Sequence, residues 1–311
     1  MENIMINLTQ NSFISEDQTS LFYYTTPRLK ITKGIVIIVH GLAEHAKRYQ
    51  AFADFLFRND FSIYALDQRG HGETGLNQGL LGFVSNFNGW QKLISDVEDL
   101  TNIASAENPD LPIYLFGHSM GSVVVRSCLC QFGGYYHGAI MSGTTAGLDT
   151  MAYQSNKLFV NTLIKKNGPK APAKRIEKMT FGRYNNKFKP VHTPFDWLSV
   201  NAKNVDTYMA DPLCGFTATT GFYLDFIYGL HYAHQFKNLQ AIPSTLPILY
   251  ISGAEDPVGK NGKEVKDLYN RTKKAGVKDV DLILYPDKRH EILNEYNNII
   301  IYEDILKFLN K

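Results

Sequence analysis

A serine flanked by glycines, Gly117-His118-Ser119-Met120-Gly121, sits between the apolar run Ile113-Tyr114-Leu115-Phe116 and a stretch of helix formers that starts at Met120. Glycine on either side lets a strand and a helix approach closely around the middle residue. A serine in such a strand–turn–helix elbow is held in a strained conformation with its hydroxyl above the sheet. That hydroxyl is a weak nucleophile until a base takes its proton. The chain has nine histidines. His118 lies inside the elbow and cannot turn back on Ser119, and His40 and His71 sit in glycine-flanked turns that suit structural or pocket-lining roles. His290, in Asp287-Lys288-Arg289-His290-Glu291, follows the last strand-like run and comes after the serine and an acid in chain order. It is the expected base. The acid should follow the preceding strand, where Ser252-Gly253-Ala254-Glu255-Asp256-Pro257-Val258 offers two carboxylates. Asp256 is the choice and Glu255 the alternative; either would orient the imidazole and stabilise its charged form while staying ionised. The chemistry implied is acyl transfer through a covalent serine intermediate. Its oxyanion needs two backbone N–H groups, expected from Met120 at the helix N-terminus and from Leu42 in the turn His40-Gly41-Leu42.

These residues must be brought together by a scaffold. Asn11 to Ile14 and Leu21 to Thr26 suggest two short strands around a polar turn. Gly34 to Val39 is a continuous β-branched run, the pattern of a strand covered on both faces. A helical stripe follows at Tyr49, Phe52, Ala53, Leu56 and Phe57. A strand is expected at Phe61 to Leu66, then a helix from Leu93 to Ala104 with Asp96, Glu98 and Asp99 outward, then the elbow and a strand at His137 to Met141. After a gap the alternation resumes with strands at Leu246 to Ser252 and Val280 to Tyr285 and helices at Lys263 to Ala275 and Asn294 to Leu309. Strands alternating with helices predict an α/β fold with a mostly parallel sheet and helices on both faces. His40-Gly41, Ser119, Asp256 and His290 all follow strands, and in such sheets ligands sit outside the strands' carboxyl ends.

The alternation breaks between residues 144 and 240. This predicts a core domain of residues 1–143 and 241–311 and a lid of residues 144–240 inserted beside Ser119. Most of the lid's aromatics, among them Phe159, Phe181, Phe195, Trp197, Phe216, Phe222, Phe226, Tyr228 and Phe236, should pack a small core of its own, with a few lining an acyl pocket. From Lys157 to Lys189 the lid is strongly basic, with Glu177 as its only acid. A solvated loop and attraction to an anionic lipid surface both fit such a stretch.

Whole-chain properties narrow the field. With 32 Lys and Arg against 30 Asp and Glu, nothing global suggests nucleic acid. The longest apolar run, Ile35 to Val39, is a strand's length, far below a membrane span. The first twenty residues lack a basic segment followed by an apolar one, so no signal peptide is expected. Cys128, Cys130 and Cys214 read as reduced thiols of a cytoplasmic protein, and no Cys/His spacing suggests zinc.

The segments HGLAEHAKRY, DQRGHGET, GHSMGS, SGAEDPVG and YPDKRHEILNE, in this order, resemble the monoacylglycerol lipase and lysophospholipase branch of the α/β-hydrolase fold, especially its bacterial members. The likeness runs along nearly the whole chain, including the lid segment DPLCGFTATTGF. It implies an α/β-hydrolase core with a cap, a triad of Ser119, Asp256 and His290, hydrolysis of a fatty acyl ester of a single-chain lipid, and no cofactor. Ser122 departs from the pattern, which often has a third glycine there. Three further activities are set beside the monoacylglycerol lipase reading. A lysophospholipase would draw on the basic lid. An aminopeptidase would need lid carboxylates such as Asp196, Asp206, Asp211 or Asp225 to hold an ammonium. A catalytically silent hydrolase-fold binding protein would be expected to lack a triad member, and none is missing.

Overall fold

The computed structural model describes residues 5–311. Eight strands form one sheet: β1 (Thr9–Ile14), β2 (Ser20–Thr25), β3 (Gly34–Val39), β4 (Phe61–Leu66), β5 (Ile113–His118), β6 (Gly138–Ser142), β7 (Ile248–Gly253) and β8 (Val280–Tyr285). Their spatial order is β1-β2-β4-β3-β5-β6-β7-β8. The pairs β1/β2 and β2/β4 are antiparallel and all the others parallel. This is the α/β-hydrolase arrangement expected from the sequence.

Side-chain alternation explains why the sheet needs helices on both sides. Along β3, Ile35, Ile37 and Val39 enter one apolar cluster, while Val36 and Ile38 enter another. Helices α1 (Gln50–Arg58) and α11 (Ile299–Leu309) cover the second cluster through Phe52, Leu56, Ile301 and Ile305. The first is covered by α3 (Gly89–Glu107), α4 (Met120–Phe132) and α10 (Lys263–Lys274), the last through Val265 and Leu268. Each fully buried Val, Ile, Leu or Phe contributes about 1.5–3 kcal/mol. The strands can therefore be continuous apolar runs without exposing a face.

Three sequence expectations need correction. Asp96 does not face outward: it is buried and receives two hydrogen bonds from Arg69, at 2.7 and 2.8 Å. Burial raises its carboxyl to about 6 against the pull of that guanidinium. The last helix begins at Ile299 rather than Asn294, because Ile292–Asn294 forms a separate 3₁₀ turn. A short helix at Gly72–Asn77, α2, was not anticipated.

Between β6 and β7 come α5 (Thr150–Asn167), α6 (Lys174–Thr180), α7 (Ala202–Ala210), α8 (Thr220–His234) and α9 (Phe236–Leu239). Phe188, Trp197, Leu198 and Tyr208 form a small cluster here, with Phe181, Tyr184 and Phe195 against it. Other aromatics of this region do not stay in it. Phe222 and Tyr223 join the main core cluster, and Phe226 packs on Trp90 of α3 at 6.2 Å. Among the described residues, no helix is long and apolar enough to cross a membrane.

Candidate active site

Ser119 links β5 to α4 with φ +51° and ψ −119°. A non-glycine residue in that region carries strain of roughly 1–3 kcal/mol and persists only when its surroundings fix it. They do so here. The Ser119 N–H donates to the Ser142 carbonyl at 2.9 Å, and the Ser122 hydroxyl donates to the Ser119 carbonyl at 2.5 Å. The flanking glycines are sterically required. A Cβ on Gly121 would lie 2.0 Å from the Val39 carbonyl oxygen, and one on Gly117 would lie 2.5 Å from that of Gly121. Ser122 is accommodated by its own hydrogen bonds, the second reaching the Thr144 hydroxyl at 2.7 Å.

His290 and Asp256 come from the loops after β8 and β7, and both are buried. His290 Nδ1 lies 2.8 Å from Asp256 Oδ2. A carboxylate can only accept, so Nδ1 carries the proton and Nε2 is left free to accept one. Asp256 is fixed in turn, with the Val258 N–H on Oδ1 at 2.8 Å and the Ser252 hydroxyl on Oδ2 at 3.3 Å. Of the two carboxylates the sequence offered, it is Asp256 that reaches the imidazole. The Glu255 backbone bonds instead to the Lys288 carbonyl. Burial disfavours a charged His290, but the charge and hydrogen bond of Asp256 outweigh it, so its pKa lies above the usual 6.5. Ser119 and His290 border the same cavity.

His118 was set aside as unable to reach the serine, and it acquires another position. Its ring is buried 4.6 Å from that of His290, with Trp197 of the lid 5.2 Å from the same imidazole. Burial and the neighbouring His290 push His118 down to about 4, so it stands beside His290 as a neutral wall. His40 and His71 are also buried and pushed down to about 3, in each case chiefly by burial. The Gln68 N–H donates to His40 Nε2 at 3.1 Å, so the His40 proton sits on Nδ1, 2.7 Å from the Gly41 carbonyl.

Leu42 and Met120 face the cavity beside Ser119. The neighbouring Gly41 N–H is already donated to Glu44 Oε1 at 2.6 Å. The N–H groups of Leu42 and Met120 have no acceptor among the described residues. This difference leaves the pair open to a developing oxyanion.

Beneath this loop lies a charged network that sequence reasoning missed. Arg48 donates to Glu44 at 2.8 Å and to both oxygens of Glu291 at 2.6 and 2.7 Å. Asn204 of α7 donates to Glu291 at 2.7 Å, and Tyr49 donates to Glu44 at 2.8 Å. The guanidinium also sits over the Tyr208 ring, 4.8 Å from its centroid. Burial opposes charge on both partners, but their mutual attraction holds Glu291 well below the usual carboxylate range and Arg48 above its own. The network ties together the loop that carries Leu42, the residue after His290 and the lid. The only sequence signal was Glu44 and Arg48 at helical spacing.

The cavity holds about 300 Å³. It is lined by Ser119, His290, Glu44 and Glu291 and by apolar side chains that include Leu148, Phe159, Val160, Ile176, Phe181 and Phe226. The basic side chains from Lys157 to Lys189 are all exposed. They share the lid surface with exposed Met151 and Leu158 of α5.

Strained elbow, buried His–Asp pair and open N–H groups on this sheet define a serine hydrolase of the α/β-hydrolase fold. The family model described as serine aminopeptidase, S33 (Hydrolase_4) matches residues 30–297, and the chain belongs to that family. It is 27% identical over 280 residues to a monoacylglycerol lipase of Mycolicibacterium smegmatis, covering 89% of this chain and 88% of that one. It is 26% identical over 276 residues to the monoglyceride lipase of Mus musculus, covering 87% and 80%. Among solved structures it resembles a thermostable carboxyl esterase from Bacillus coagulans in complex with glycerol, with TM-score 0.89, 27% identity and 98% of each chain covered.

Proposed function

We propose that the chain is a carboxylic ester hydrolase acting on monoacylglycerols, with Ser119 as nucleophile, His290 as base and Asp256 as its orienting acid. His290 Nε2 takes the Ser119 proton as Oγ attacks the ester carbonyl. The oxyanion is held by the N–H groups of Leu42 and Met120. Collapse breaks the C–O bond, and glycerol leaves with the proton from the imidazolium. Water, deprotonated by the same imidazole, then releases the fatty acid from Ser119. The observation that carries this reading is the largely apolar cavity that Ser119 and His290 border, which would take one acyl chain. The names of the two lipase relatives support the substrate class.

The aminopeptidase reading suggested by the family's description finds less support. None of Asp196, Asp206, Asp211 or Asp225 lines the cavity. Of the carboxylates that do, Glu44 and Glu291 are matched by Arg48, and Glu177 accepts from Thr217 at 2.5 Å. We read the basic lid face, with Met151 and Leu158, as a peripheral contact with anionic lipid surfaces, and the free thiols as those of a cytoplasmic protein. The deciding experiment is turnover of a monoacylglycerol, a lysophosphatidylcholine and an aminoacyl-anilide by the wild type, with fluorophosphonate labelling of Ser119. Preference for either of the last two, or no labelling, overturns the proposal.

A further inference from the structure

His45, Asp211 and Cys214 converge where the oxyanion loop meets the lid. His45 stands three residues after Leu42, and the other two lie in the turn after α7. His45 Nε2 is 2.8 Å from Asp211 Oδ2. One nitrogen, oxygen or sulfur atom from each of the three lies within 4.8 Å of the others. The mechanism uses none of them.

We propose that these three side chains form a regulatory site for a zinc-like divalent cation, which on binding locks the lid turn to the loop that carries Leu42. The donor set is the first argument. A thiolate with an imidazole favours Zn(II), Co(II) and their neighbours over Mg(II) or Ca(II), and a carboxylate completes a familiar set of protein ligands. Tetrahedral bond lengths of about 2.0–2.3 Å put ligand atoms roughly 3.3–3.7 Å apart. The cluster brackets that spacing, so small side-chain rotations suffice. Charge is the second argument. Glu44, Glu291 and Asp211 all act on Cys214, against Arg48 as the opposing cation. A divalent cation offsets this excess of negative charge. Access is the third: His45 is buried, but the Asp211 side chain is 28% exposed, giving an ion a way in.

On binding, the Cys214 thiol proton goes to solvent and the His45 proton moves to Nδ1, freeing Nε2 for the metal. Binding therefore tightens as pH rises. The mechanical consequence follows from existing contacts. The Ala43 carbonyl already accepts the Tyr208 hydroxyl at 2.9 Å and the Gly215 N–H at 3.0 Å. A coordinate bond across the same junction turns a hydrogen-bonded hinge into a clamp, and turnover that needs the lid to move slows.

The test uses the full chain, reduced and stripped with chelator, and Co(II) as probe. One equivalent should give a near-ultraviolet thiolate-to-cobalt charge-transfer band that Zn(II) abolishes by displacement. Cys214→Ser should lose the band while keeping basal turnover. His45→Gln, which removes a ligand, should weaken cobalt binding by more than the about 10–100-fold that loss of a residue merely supporting a ligand costs. Zn(II) should raise the melting temperature and slow turnover of the wild type and leave both unchanged in Cys214→Ser, with Cys214→Ala as a second variant should serine disturb the turn. Absence of the band at stoichiometric cobalt, its persistence in either Cys214 variant, or equal zinc inhibition of wild type and variant overturns the proposal.

Discussion

Replacing Arg48 with methionine removes the cation that Glu44 and Glu291 share. Both carboxylate side chains are 5% exposed, and Arg48 itself is 8% exposed. Removing one partner of a buried ion pair costs about 3–5 kcal/mol, because the other charge is left without compensation. At roughly 2–4 °C per kcal/mol, the melting temperature should fall by about 6–20 °C at neutral pH. The pH dependence should also change sign. In the wild type, Glu291 has a lowered pKa, so its contribution is present above its ordinary value of 4.5 and is lost as pH falls through the folded value. Without Arg48 the dominant remaining influence is burial, which raises the pKa. The folded variant then binds a proton more readily than the unfolded chain, and its deficit shrinks as pH is lowered from 7 towards 5. Urea unfolding of wild type, Arg48→Met, Glu291→Gln and the double variant, at both pH values, measures this. The double variant should be more stable than the sum of the two single losses by at least about 1 kcal/mol, the range expected of residues in one network. Additivity within about 0.5 kcal/mol, or a deficit that grows on acidification, would refute the argument that these charges compensate one another.

Ser119→Ala should lower kcat on the order of 10⁶-fold with the fold intact; residual activity above a tenth of wild type would place the nucleophile elsewhere. Asp256→Asn should cost about 10⁴-fold by favouring the wrong imidazole tautomer, and Glu255→Gln far less; the reverse order would reassign the acid. The base must be neutral to accept the serine proton, and His290 is shifted upward, so kcat/KM should rise with pH through a midpoint above 6.5. A flat profile from pH 5 to 8 would exclude it. On p-nitrophenyl esters of increasing length, kcat/KM should climb by up to about fourfold per methylene, from ~0.8 kcal/mol for each buried CH₂, until the cavity is filled. A steady decline from acetate onward would remove the acyl pocket.

What the sequence made legible was whatever depends on short-range pattern. β3 and β4 coincide with their apolar runs because a strand buried on both faces has little freedom in composition. Asp96 was misplaced because helical periodicity sees only its own helix. Its partner, Arg69, sits 27 residues earlier in a loop, and the pair is buried as a unit. The same blindness hid the acid–base network beneath the active site, where Arg48 and Glu291 are 243 residues apart. Phe222 was placed among the aromatics of a separate lid core because composition cannot say which surface an aromatic residue meets.

The candidate catalytic residues had the clearest sequence signal, since the elbow demands its glycines and chain order narrows the choice of acid and base. Those that hold them in place have no local signature. The Gly41 N–H is spoken for because Glu44 accepts it, and Glu44 is fixed because Arg48 bridges it to the residue after His290. The oxyanion loop and the His290 loop are therefore not independent parts. A change in Arg48 should reach both together: the loop that presents Leu42 loses its anchor while Glu291, next to His290, loses its counter-charge. If so, Arg48→Met should lower kcat as well as stability. A variant destabilised as calculated but with unchanged kcat at 25 °C would mean that the network holds the fold without positioning the site.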